Sequence, residues 1–431
     1  MQHLIRTAES QLARLQVPVA LRLPSGHLIG QEQAGVKLEF SRWPGLALLA
    51  AGKIGALAEG FVEGRIRIEG AMRDVMAAAA ALLPSNPVST NTATWKQGLR
   101  KLRSAAAHSL ARDARQIQFH YDVSDAFYAL WLDPRRVYSC AYFADASMTL
   151  AQAQEAKLDH ICRKLMLQPG EKFLDVGSGW GGLLMWAAEH YGVDATGITL
   201  SKNQQAYVQQ LIEEKGLQSR VRVELRDYRM LEPGLRFHKI ASVGMLEHVG
   251  RANIGAYFKT IYQLLEPGGL VLNHGITAGG PDAEQLGAGM GDFIEKYIFP
   301  GGELLHVSHL LRETASAGLE MVDTENLRPH YARTLWAWSD ALEAQLDEAR
   351  AALVTADSAR AERVLRAYRL YLAGSAMSFE QGWIALHQML SARPAADMTA
   401  GAMPGAQSVY PFSRRYMYPC STPSNPPQLA T

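Results

Sequence analysis

Short apolar runs alternate with amphipathic segments along the middle of the chain, between residues 170 and 277. The runs have the length of buried strands and are separated by turn-forming or helical segments. They occupy residues 172–176, 194–199, 221–225, 239–245 and 270–275. The segments between them, such as 183–190 and 202–215, are helical in pattern. This alternation of strand and helix predicts an α/β unit with a parallel, doubly wound sheet.

A different pattern occupies the first 95 residues. Residues 17–23 and 36–40 alternate between apolar and polar positions, and residues 61–69 alternate strongly, as expected of strands with one buried face. Residues 72–83 are rich in alanine and predict a helix. We therefore predict a small α+β domain over residues 1–95, ahead of the α/β unit.

A linker and a basic segment follow this domain. Residues 84–94 consist mostly of Pro, Ser, Thr and Asn, a composition typical of linkers. The next segment has helical spacing, with Lys96, Arg100 and Arg103 on one face. We interpret residues 96–118 as a basic linker helix.

The α/β domain is then predicted over residues 119–393. Within it, residues 340–391 are rich in Ala, Leu and Arg and predict one long helical region. The remaining tail, 394–431, is rich in Pro, Ser, Gly and Met and is predicted to be flexible.

Charge adds to the interpretation of the amino-terminal part. The whole chain of 431 residues is nearly neutral, with 43 Lys and Arg against 42 Asp and Glu. Residues 1–118, however, contain 15 basic and 8 acidic residues, a net charge of +7 against −6 for the remainder. Such asymmetry indicates a surface that attaches to anionic lipid or nucleic acid, although a solvated basic helix face would give the same pattern.

Composition excludes several classes of protein. An apolar fraction of 48% and a charged fraction of 20% are those of a globular protein, not of a disordered or collagen-like chain. Cys140, Cys162 and Cys420 are far apart and form no CxxC pair, so neither a disulfide framework nor a zinc site is predicted. The amino terminus lacks a signal-peptide core, and the most apolar stretch, 43–62, is interrupted by charges and glycines. We expect a cytoplasmic protein without a spanning helix.

The first predicted strand ends in LDVGSGWGG, residues 174–182, and leads into a helix. Glycines at this point let the backbone turn sharply and approach a bound cofactor, with free N–H groups at the helix start. Gly177, Gly179 and Gly182 match GxGxxG, which nicotinamide and flavin enzymes share and which a purely structural turn can also show. The motif alone therefore does not identify the cofactor.

Neighbouring residues favour a compact nucleoside cofactor such as S-adenosylmethionine. A dinucleotide site needs an acidic residue about 20 positions further on, at the end of the second strand. That strand ends in TLSKNQ, residues 199–204, which contains no acid and so disfavours a nicotinamide oxidoreductase. Asp175 before the turn and the indole of Trp180 within it also suit the smaller cofactor better than a pyrophosphate bridge.

Two polar residues follow the fourth and fifth strands, Glu247 and His274. Ligands of open α/β sheets bind beyond the carboxyl ends of the strands, so both side chains should meet the glycine turn in one crevice. Metal binding by Glu247, His248 and His274 is the competing interpretation. No HExxH motif or ligand-spaced His and Cys pair accompanies them, so no metal is predicted.

Residues 119–143 contain eight Phe, Tyr and Trp side chains. They could belong to a helix that covers one side of the sheet. They could also surround a methyl sulfonium, because aromatic ring faces stabilise cations by about 0.5–2 kcal/mol each.

Several motifs together resemble one known family. HYDVSDAFYALWLD, YSCAYF, LDVGSGWGG, GITLSKNQ, RDYR, MLEHVG, NHGIT and KYIFPGGELL occur in this order between residues 119 and 388. The combination is similar to the cyclopropane-fatty-acyl-phospholipid synthases and the related mycolic acid cyclopropane synthases. The resemblance implies a Rossmann-like, S-adenosylmethionine-dependent methyltransferase sheet. The amino-terminal domain more weakly resembles a sterol-carrier-like, lipid-facing domain of bacterial members.

The resemblance also implies site residues. S-adenosylmethionine would be bound by Tyr138, Ser139, Gly177, Ser178, Gly179, Thr199, Gln204, Asp227 and Tyr228. Ser178 departs from the family pattern, since many members have Cys there. A bound bicarbonate would be held by the catalytic group of Cys140, Glu247, His274, Ile276 and Tyr331.

The implied reaction transfers a methylene group from S-adenosylmethionine to the double bond of an unsaturated acyl chain in a membrane phospholipid. A carbocation forms, and bicarbonate removes a proton so that a cyclopropane ring closes. Diverting that cation would give a methyl- or methylene-branched chain, and a non-catalytic lipid carrier is a further alternative. The expected partners are the inner face of the membrane, contacted peripherally, and a second copy of the chain, with no nucleic acid.

Overall fold

The computed structural model describes residues 2–13, 15–83, 88, 123–281, 286–353, 357–395 and 409–419. The amino-terminal unit contains α1 (Gln2–Leu12), β1 (Val19–Arg22), β2 (Leu28–Ile29), β3 (Val36–Phe40), α2 (Trp43–Ala50), α3 (Ile54–Val62), β4 (Ile66–Glu69) and α4 (Met72–Ala81). Its sheet has the order β2-β1-β3-β4, in which only β1 and β3 are parallel. This is the small α+β unit that the alternating pattern predicts.

The α/β domain begins with α5 (Asp125–Trp131) and α6 (Leu150–Lys164). It continues through β5 (Lys172–Val176), α7 (Gly182–Tyr191), β6 (Asp194–Thr199), α8 (Lys202–Glu214), β7 (Val221–Leu225), β8 (Phe237–Val243), α9 (Ile254–Leu264) and β9 (Leu265–Ala278). The remaining elements are α10 (Met290–Tyr297), α11 (Val307–Ser316), β10 (Glu320–Asn326), α12 (Arg328–Glu343), α13 (Leu346–Leu353), α14 (Ser358–Glu380) and β11 (Ile384–Ala392).

One seven-stranded sheet has the order β10-β11-β9-β8-β5-β6-β7. The five strands from β5 to β9 run parallel, and β11 pairs antiparallel with both β9 and β10. The direction of chain progression reverses at β5, which lies between β6 and β8. Such a reversal opens a crevice beyond the carboxyl ends of the strands, where ligands of α/β sheets bind.

The amino-terminal unit packs directly against the α/β domain. In α3, the N–H of Gly55 donates to the carbonyl oxygen of Ala288 at 2.9 Å. A Cβ atom on Gly55 would lie 2.1 Å from the carbonyl oxygen of Gly289, so only glycine permits this approach. Beside it, Lys296 of α10 pairs with Glu59 of α3 at 2.9 Å. One continuous apolar cluster extends from the amino-terminal sheet into the helices α12 and α14.

Two predicted elements are wrong in part. The strand predicted over residues 61–69 is only β4, because Phe61 and Val62 end α3 and a turn at Gly64, with φ of +72°, separates them from the strand. The helical region predicted over 340–391 ends in a strand, β11. That strand is buried between β9 and β10, and a short apolar run buried on both faces has no periodicity that separates it from a helix.

Part of the tail also differs from the prediction of flexibility. Residues 409–419 lie against the α/β domain, where Met417 is fully buried and its carbonyl oxygen lies 2.9 Å from Nδ1 of His160. The basic segment at 96–118 and most of the predicted linker lie outside the described residues. Within the described ranges, none of the helices has both the length and the apolar character needed to span a bilayer.

Candidate functional site

The glycine turn after β5 borders a small pocket. Gly177, Gly179 and Gly181 all have positive φ, of +83°, +54° and +80°. The N–H groups of Gly177 and Ser178 both donate to the carbonyl oxygen of Ile198 at 3.0 Å, which ties the turn to β6. A Cβ atom on Gly179 would meet no protein atom within 4 Å. The backbone at Gly179 is therefore open to a ligand in the pocket.

The pocket has a volume of about 150 Å³ and lies beyond the carboxyl ends of β5, β6, β7 and β8. The structure brings all nine residues of the predicted cofactor set to its wall: Tyr138, Ser139, Gly177, Ser178, Gly179, Thr199, Gln204, Asp227 and Tyr228. The proximity of residues so far apart in sequence follows from the parallel sheet. Their contact with a bound cofactor stays a prediction.

Polar side chains in this pocket are fixed by their neighbours. The hydroxyl of Thr199 donates to Oε1 of Gln204 at 2.8 Å, which leaves the Gln204 amide nitrogen buried with no acceptor in the described structure. The carboxylate of Asp227 accepts from the guanidinium and the backbone N–H of Arg229. An orphaned buried donor indicates a ligand acceptor, and the hydroxyl and carboxylate oxygens of S-adenosylmethionine fit that requirement.

A larger cavity of about 670 Å³ adjoins the first pocket, and Tyr138, Ser139, Gly244 and His248 line both. All five residues predicted as catalytic line it: Cys140, Glu247, His274, Ile276 and Tyr331. Its other walls are mostly apolar and come from both units of the chain. Val36 and Leu38 of the amino-terminal sheet are examples, and no sequence pattern marked them as lining a site.

Glu247 follows β8 in a 3-10 turn and faces β9. Its Oε1 accepts from the N–H of Ile276 at 2.6 Å, while its Oε2 is buried and has no partner in the described structure. Burial raises the pKa of Glu247 to about 7, although the hydrogen bond from Ile276 opposes the shift. The N–H of Ile276 therefore already donates to Glu247. Ile276 would act on bicarbonate only indirectly, by holding that carboxylate in place.

His274 lies in β9 and is only 1% exposed. Its Nδ1 lies 3.2 Å from the amide nitrogen of Gln388, which is opposite it in β11, so Gln388 donates and Nδ1 accepts. Burial and the charges of Lys157 and Lys164 hold the pKa of His274 well below its usual range, so the ring is neutral. Its Nε2 therefore has a proton and no acceptor in the described structure.

Cys140 and Tyr331 complete the group. Burial raises the pKa of the Cys140 thiol, which donates to the carbonyl oxygen of Ala141 at 3.2 Å and remains protonated at neutral pH. Tyr331, at the start of α12, is 7% exposed and packs with its ring 4.7 Å from that of Phe379. The site thus combines neutral donors with one carboxyl group whose pKa is near neutrality.

Gln388 and Lys157 are residues of the site that the sequence patterns do not predict. Gln388 lies in β11, a segment whose composition predicts a helix, and a helix would not pair Gln388 with His274. Lys157 occupies the buried face of α6 and donates to Ser139 at 2.8 Å. A lysine among the apolar positions of an amphipathic helix is a signal that could have identified it.

Most of the described rings of the aromatic stretch, which lie between residues 123 and 143, have a structural role. Phe127, Tyr128 and Trp131 of α5 are buried, and Trp131 packs against Trp338 of α12 with ring centroids 5.7 Å apart. Tyr138 alone among the described rings of this stretch lines the two pockets. The described residues include no cluster of His, Cys, Asp or Glu able to hold a metal.

The sheet order, with a glycine turn beside a pocket at the strand ends, is that of an α/β fold with a ligand site at its switch point. The solved structures that match it include S-adenosylmethionine-dependent methyltransferases. Coclaurine N-methyltransferase, solved with N-methylheliamine and S-adenosylhomocysteine, shares the fold with a TM-score of 0.59 and 21% identity over 80% of this chain and 99% of its own. More narrowly, the chain belongs to the mycolic acid cyclopropane synthetase family, whose family model matches residues 108–389.

Individual relatives agree with this membership. A Pseudomonas putida protein named "Probable fatty acid methyltransferase" is 46% identical over 79% of this chain and 83% of its own length. Cyclopropane mycolic acid synthase 1 of Mycobacterium tuberculosis is 41% identical over 63% of this chain and 94% of its own. The crystal structure of mycolic acid cyclopropane synthase CmaA1 with SAH and CTAB matches with a TM-score of 0.60 and 38% identity, over 65% of this chain and 98% of that one.

Proposed function

We propose that this chain transfers a one-carbon unit from S-adenosylmethionine to the double bond of an unsaturated acyl chain of a membrane phospholipid and closes a cyclopropane ring. The main support is the apolar cavity of about 670 Å³ that adjoins the cofactor pocket at Tyr138 and Ser139. A volume of this size suits a long, flexible hydrocarbon ligand. The names of the relatives, which include a fatty acid methyltransferase and a cyclopropane mycolic acid synthase, point to the same chemistry.

The residues present fit S-adenosylmethionine. The glycine turn leaves space for the ligand at Gly179, and Gln204 offers an amide donor that has no other described partner. When bound, the cofactor supplies an electrophilic methyl group to an alkene, which is a poor nucleophile. The chain's task is therefore to hold the double bond close to the cofactor pocket and to exclude water, because positioning replaces a slow bimolecular encounter.

After methyl transfer the acyl chain is a carbocation, and a proton must leave the added methyl group so that the ring can close. We assign the binding of a bicarbonate base to the group around Glu247. The unpartnered Oε2 of Glu247 and the unpartnered Nε2–H of His274 both line the acyl cavity and would contact such an oxyanion. A pKa of Glu247 near 7 lets this carboxyl group donate a hydrogen bond to it. Bicarbonate would supply a general base there without a side-chain nucleophile beside the cation.

A closely related outcome is a methyl- or methylene-branched acyl chain. The Pseudomonas putida relative named as a fatty acid methyltransferase favours it. Both reactions pass through the same cation. Loss of a proton from the added methyl group with ring closure gives the cyclopropane, whereas a 1,2-hydride shift before that loss gives the methylene branch. Loss of a proton from a neighbouring chain carbon gives a methyl-branched alkene.

Mass spectrometry of phospholipid fatty acids separates these outcomes. The chain is expressed in a bacterial host that lacks any such activity, with Gly179→Val as the matched inactive control. Cyclopropanation adds one CH2 to each unsaturated chain and removes the double bond, so the product resists ozonolysis. A product that gains CH2 and remains cleavable by ozone indicates the methylene-branched alternative. Unmodified lipids in both strains would contradict the proposal.

Access to a bilayer is part of the proposal, because the acyl chains lie inside the membrane. We propose a peripheral contact with the inner face of the cytoplasmic membrane through the basic residues of the 96–118 segment. Each Lys or Arg near an anionic surface contributes about 1 kcal/mol, screened beyond about 8–10 Å at physiological salt.

Replacing Lys96, Arg100, Lys101 and Arg103 by Gln should weaken sedimentation with anionic vesicles, and added salt should do the same to the wild type. Binding to DNA that exceeds binding to anionic vesicles at equal salt would contradict the lipid assignment. Vesicle binding that responds to neither salt nor the substitutions would show that the contact is apolar.

A further inference from the structure

A lysine is buried in the wall of the cofactor pocket, and the proposed mechanism does not use it. Lys157 lies on the inner face of α6, is 1% exposed and donates from Nζ to the hydroxyl oxygen of Ser139 at 2.8 Å. An ammonium group has three N–H donors, and this bond uses one of them. Burying an ammonium is unfavourable unless its donors find acceptors, so the position requires an explanation.

Two further side chains, those of Gln154 and Asp133, hold the loop to which Ser139 belongs. One turn earlier in α6, the amide nitrogen of Gln154 donates to the carbonyl oxygens of Ser139 at 2.9 Å and Val137 at 3.2 Å. The carboxylate of Asp133 accepts from the N–H of Val137 at 2.8 Å. The loop that contains Tyr138, Ser139 and Cys140 is therefore bound to α6 by both backbone and side chain.

The location of Ser139 gives this arrangement a function. Lys157 and Asp175 line the cofactor pocket, while Ser139 lines both the cofactor pocket and the acyl cavity. Because the Ser139 oxygen accepts from Lys157, the hydroxyl proton of Ser139 must point to another acceptor. The ammonium also polarises that hydroxyl group and makes it a stronger donor.

We propose that Lys157 is a positioning residue for the cofactor: through Ser139 it directs a polarised hydroxyl donor, together with its own positive charge, toward the carboxylate of bound S-adenosylmethionine. The carboxylate is the only anionic group of that cofactor and the natural partner of a buried ammonium. This inference concerns the cofactor pocket alone, so it stands or fails independently of the acyl substrate proposed above.

The charges around Lys157 make the proposal testable by pH. Burial lowers the pKa of Lys157 to about 8, opposed by the nearby Asp133, Cys140 and Asp175. Burial raises the pKa of Asp133 and raises that of Asp175 to about 7, and the Cys140 thiol stays protonated. His274, which also interacts with Lys157, is neutral. Between about pH 7 and about pH 9.5 the charges of both Asp175 and Lys157 change, so a variant that removes only the lysine is needed to separate the two.

The experiment measures the affinity of S-adenosylhomocysteine by calorimetry from about pH 7 to about pH 9.5. We compare the wild type with Lys157→Met, which keeps the volume of the side chain and removes its charge. Lys172→Met is the control, since Lys172 is an exposed lysine at the far end of β5. The amino group of the ligand titrates equally with every protein, so the differences between proteins report Lys157.

We expect Lys157→Met to lose about tenfold or more in affinity near pH 7, the usual effect of removing a hydrogen bond to a charged group. Its deficit relative to wild type should shrink as the pH rises past the pKa of Lys157, while Lys172→Met follows the wild type. Ser139→Ala should lose affinity, and the double variant should lose less than the sum of the two single losses, because both residues act through one contact.

The proposal would be overturned if Lys157→Met bound S-adenosylhomocysteine as tightly as the wild type does near pH 7. It would also be overturned if the loss of affinity in Lys157→Met did not change with pH. If Lys157→Met does not fold, the comparison of wild type with Ser139→Ala and Lys172→Met decides. A pH dependence shared equally by all three would then show that Lys157 does not act through Ser139.

Discussion

The two pockets that meet at Tyr138 and Ser139 are constructed in different ways. The cofactor pocket, of about 150 Å³, is formed by turns at the ends of neighbouring parallel strands, and its backbone conformation is specialised. The acyl cavity, of about 670 Å³, is formed by apolar side chains from positions as distant as Leu12 and Leu386. The first pocket presents polar groups that their neighbours hold in place, whereas the second is mostly apolar, with polar groups that include Glu247 and His274.

This difference has consequences for mutation. In the cofactor pocket a single added methyl group can occupy space that the ligand needs. In the acyl cavity a similar change reduces the available volume and leaves the reacting groups unchanged. We therefore expect substitutions in the first pocket to abolish binding and substitutions in the second to change which chain is accepted.

The largest effect is expected at Gly179. In Gly179→Val the side chain would project into open pocket space at a positive φ, so S-adenosylhomocysteine binding should fall below detection in calorimetry. Gly216→Val is the matched control, because Gly216 also has positive φ and open surroundings but lies outside both pockets. Equal loss of binding in the two variants would show that backbone strain, and not occupied space, is responsible.

The boundary between the pockets is tested by Glu247→Gln. The amide keeps the shape but cannot reproduce the contacts of the carboxyl group, so turnover should fall by about 10² or more, as is usual for positioned acid–base groups. Affinity for S-adenosylhomocysteine should remain near the wild-type value, since Glu247 lines the acyl cavity and not the cofactor pocket. Unchanged turnover would remove Glu247 from the mechanism.

The acyl cavity is tested through α4. Ala79 lines the cavity, whereas Ala77 on the same helix is exposed. Ala79→Phe should lower activity on longer unsaturated chains relative to shorter ones by about tenfold, within the range observed when a pocket loses space for a methylene group. Competition between chain lengths in mixed vesicles measures the ratio. If Ala79→Phe kept the wild-type ratio of activity on longer to shorter chains, the amino-terminal unit would not select the substrate. An altered ratio for Ala77→Phe would show that the effect does not come from the cavity.

The smallest effect concerns stability. Because the pKa of Glu247 is raised from 4.5 to about 7 in the folded chain, its stabilising contribution is present below about pH 4.5 and is lost as the pH rises to about 7. At pH 8, Glu247→Gln should therefore have a free energy of unfolding about 1–3 kcal/mol higher than the wild type and should unfold at a higher temperature. At pH 4.5 the variant should have no such advantage. Thermal denaturation at both pH values checks the sign, and an equal difference at both would contradict it.

The cofactor side of this comparison was accessible from sequence. The glycine turn and the TLSKNQ segment follow from one rule, that parallel strands end at one edge of a sheet, and the same rule also gives the positions of Glu247 and His274 in the neighbouring acyl cavity. Each of these signals is local, because a turn type or a strand end is determined by a few consecutive residues. The alternating pattern likewise predicts the small α+β unit, although the strand predicted over 61–69 begins five residues before β4 does.

The acyl side was decided by tertiary structure. Strand β11, and with it the pairing of Gln388 with His274, depends on insertion between β9 and β10, which the residues of β11 do not indicate by themselves. The joint cavity depends on the close approach of Gly55 to Gly289, more than 200 positions apart in the chain. Apolar side chains report only that they are buried. What they are buried against, and whether a cavity remains between them, depends on non-local packing and is specified only when the distant elements meet.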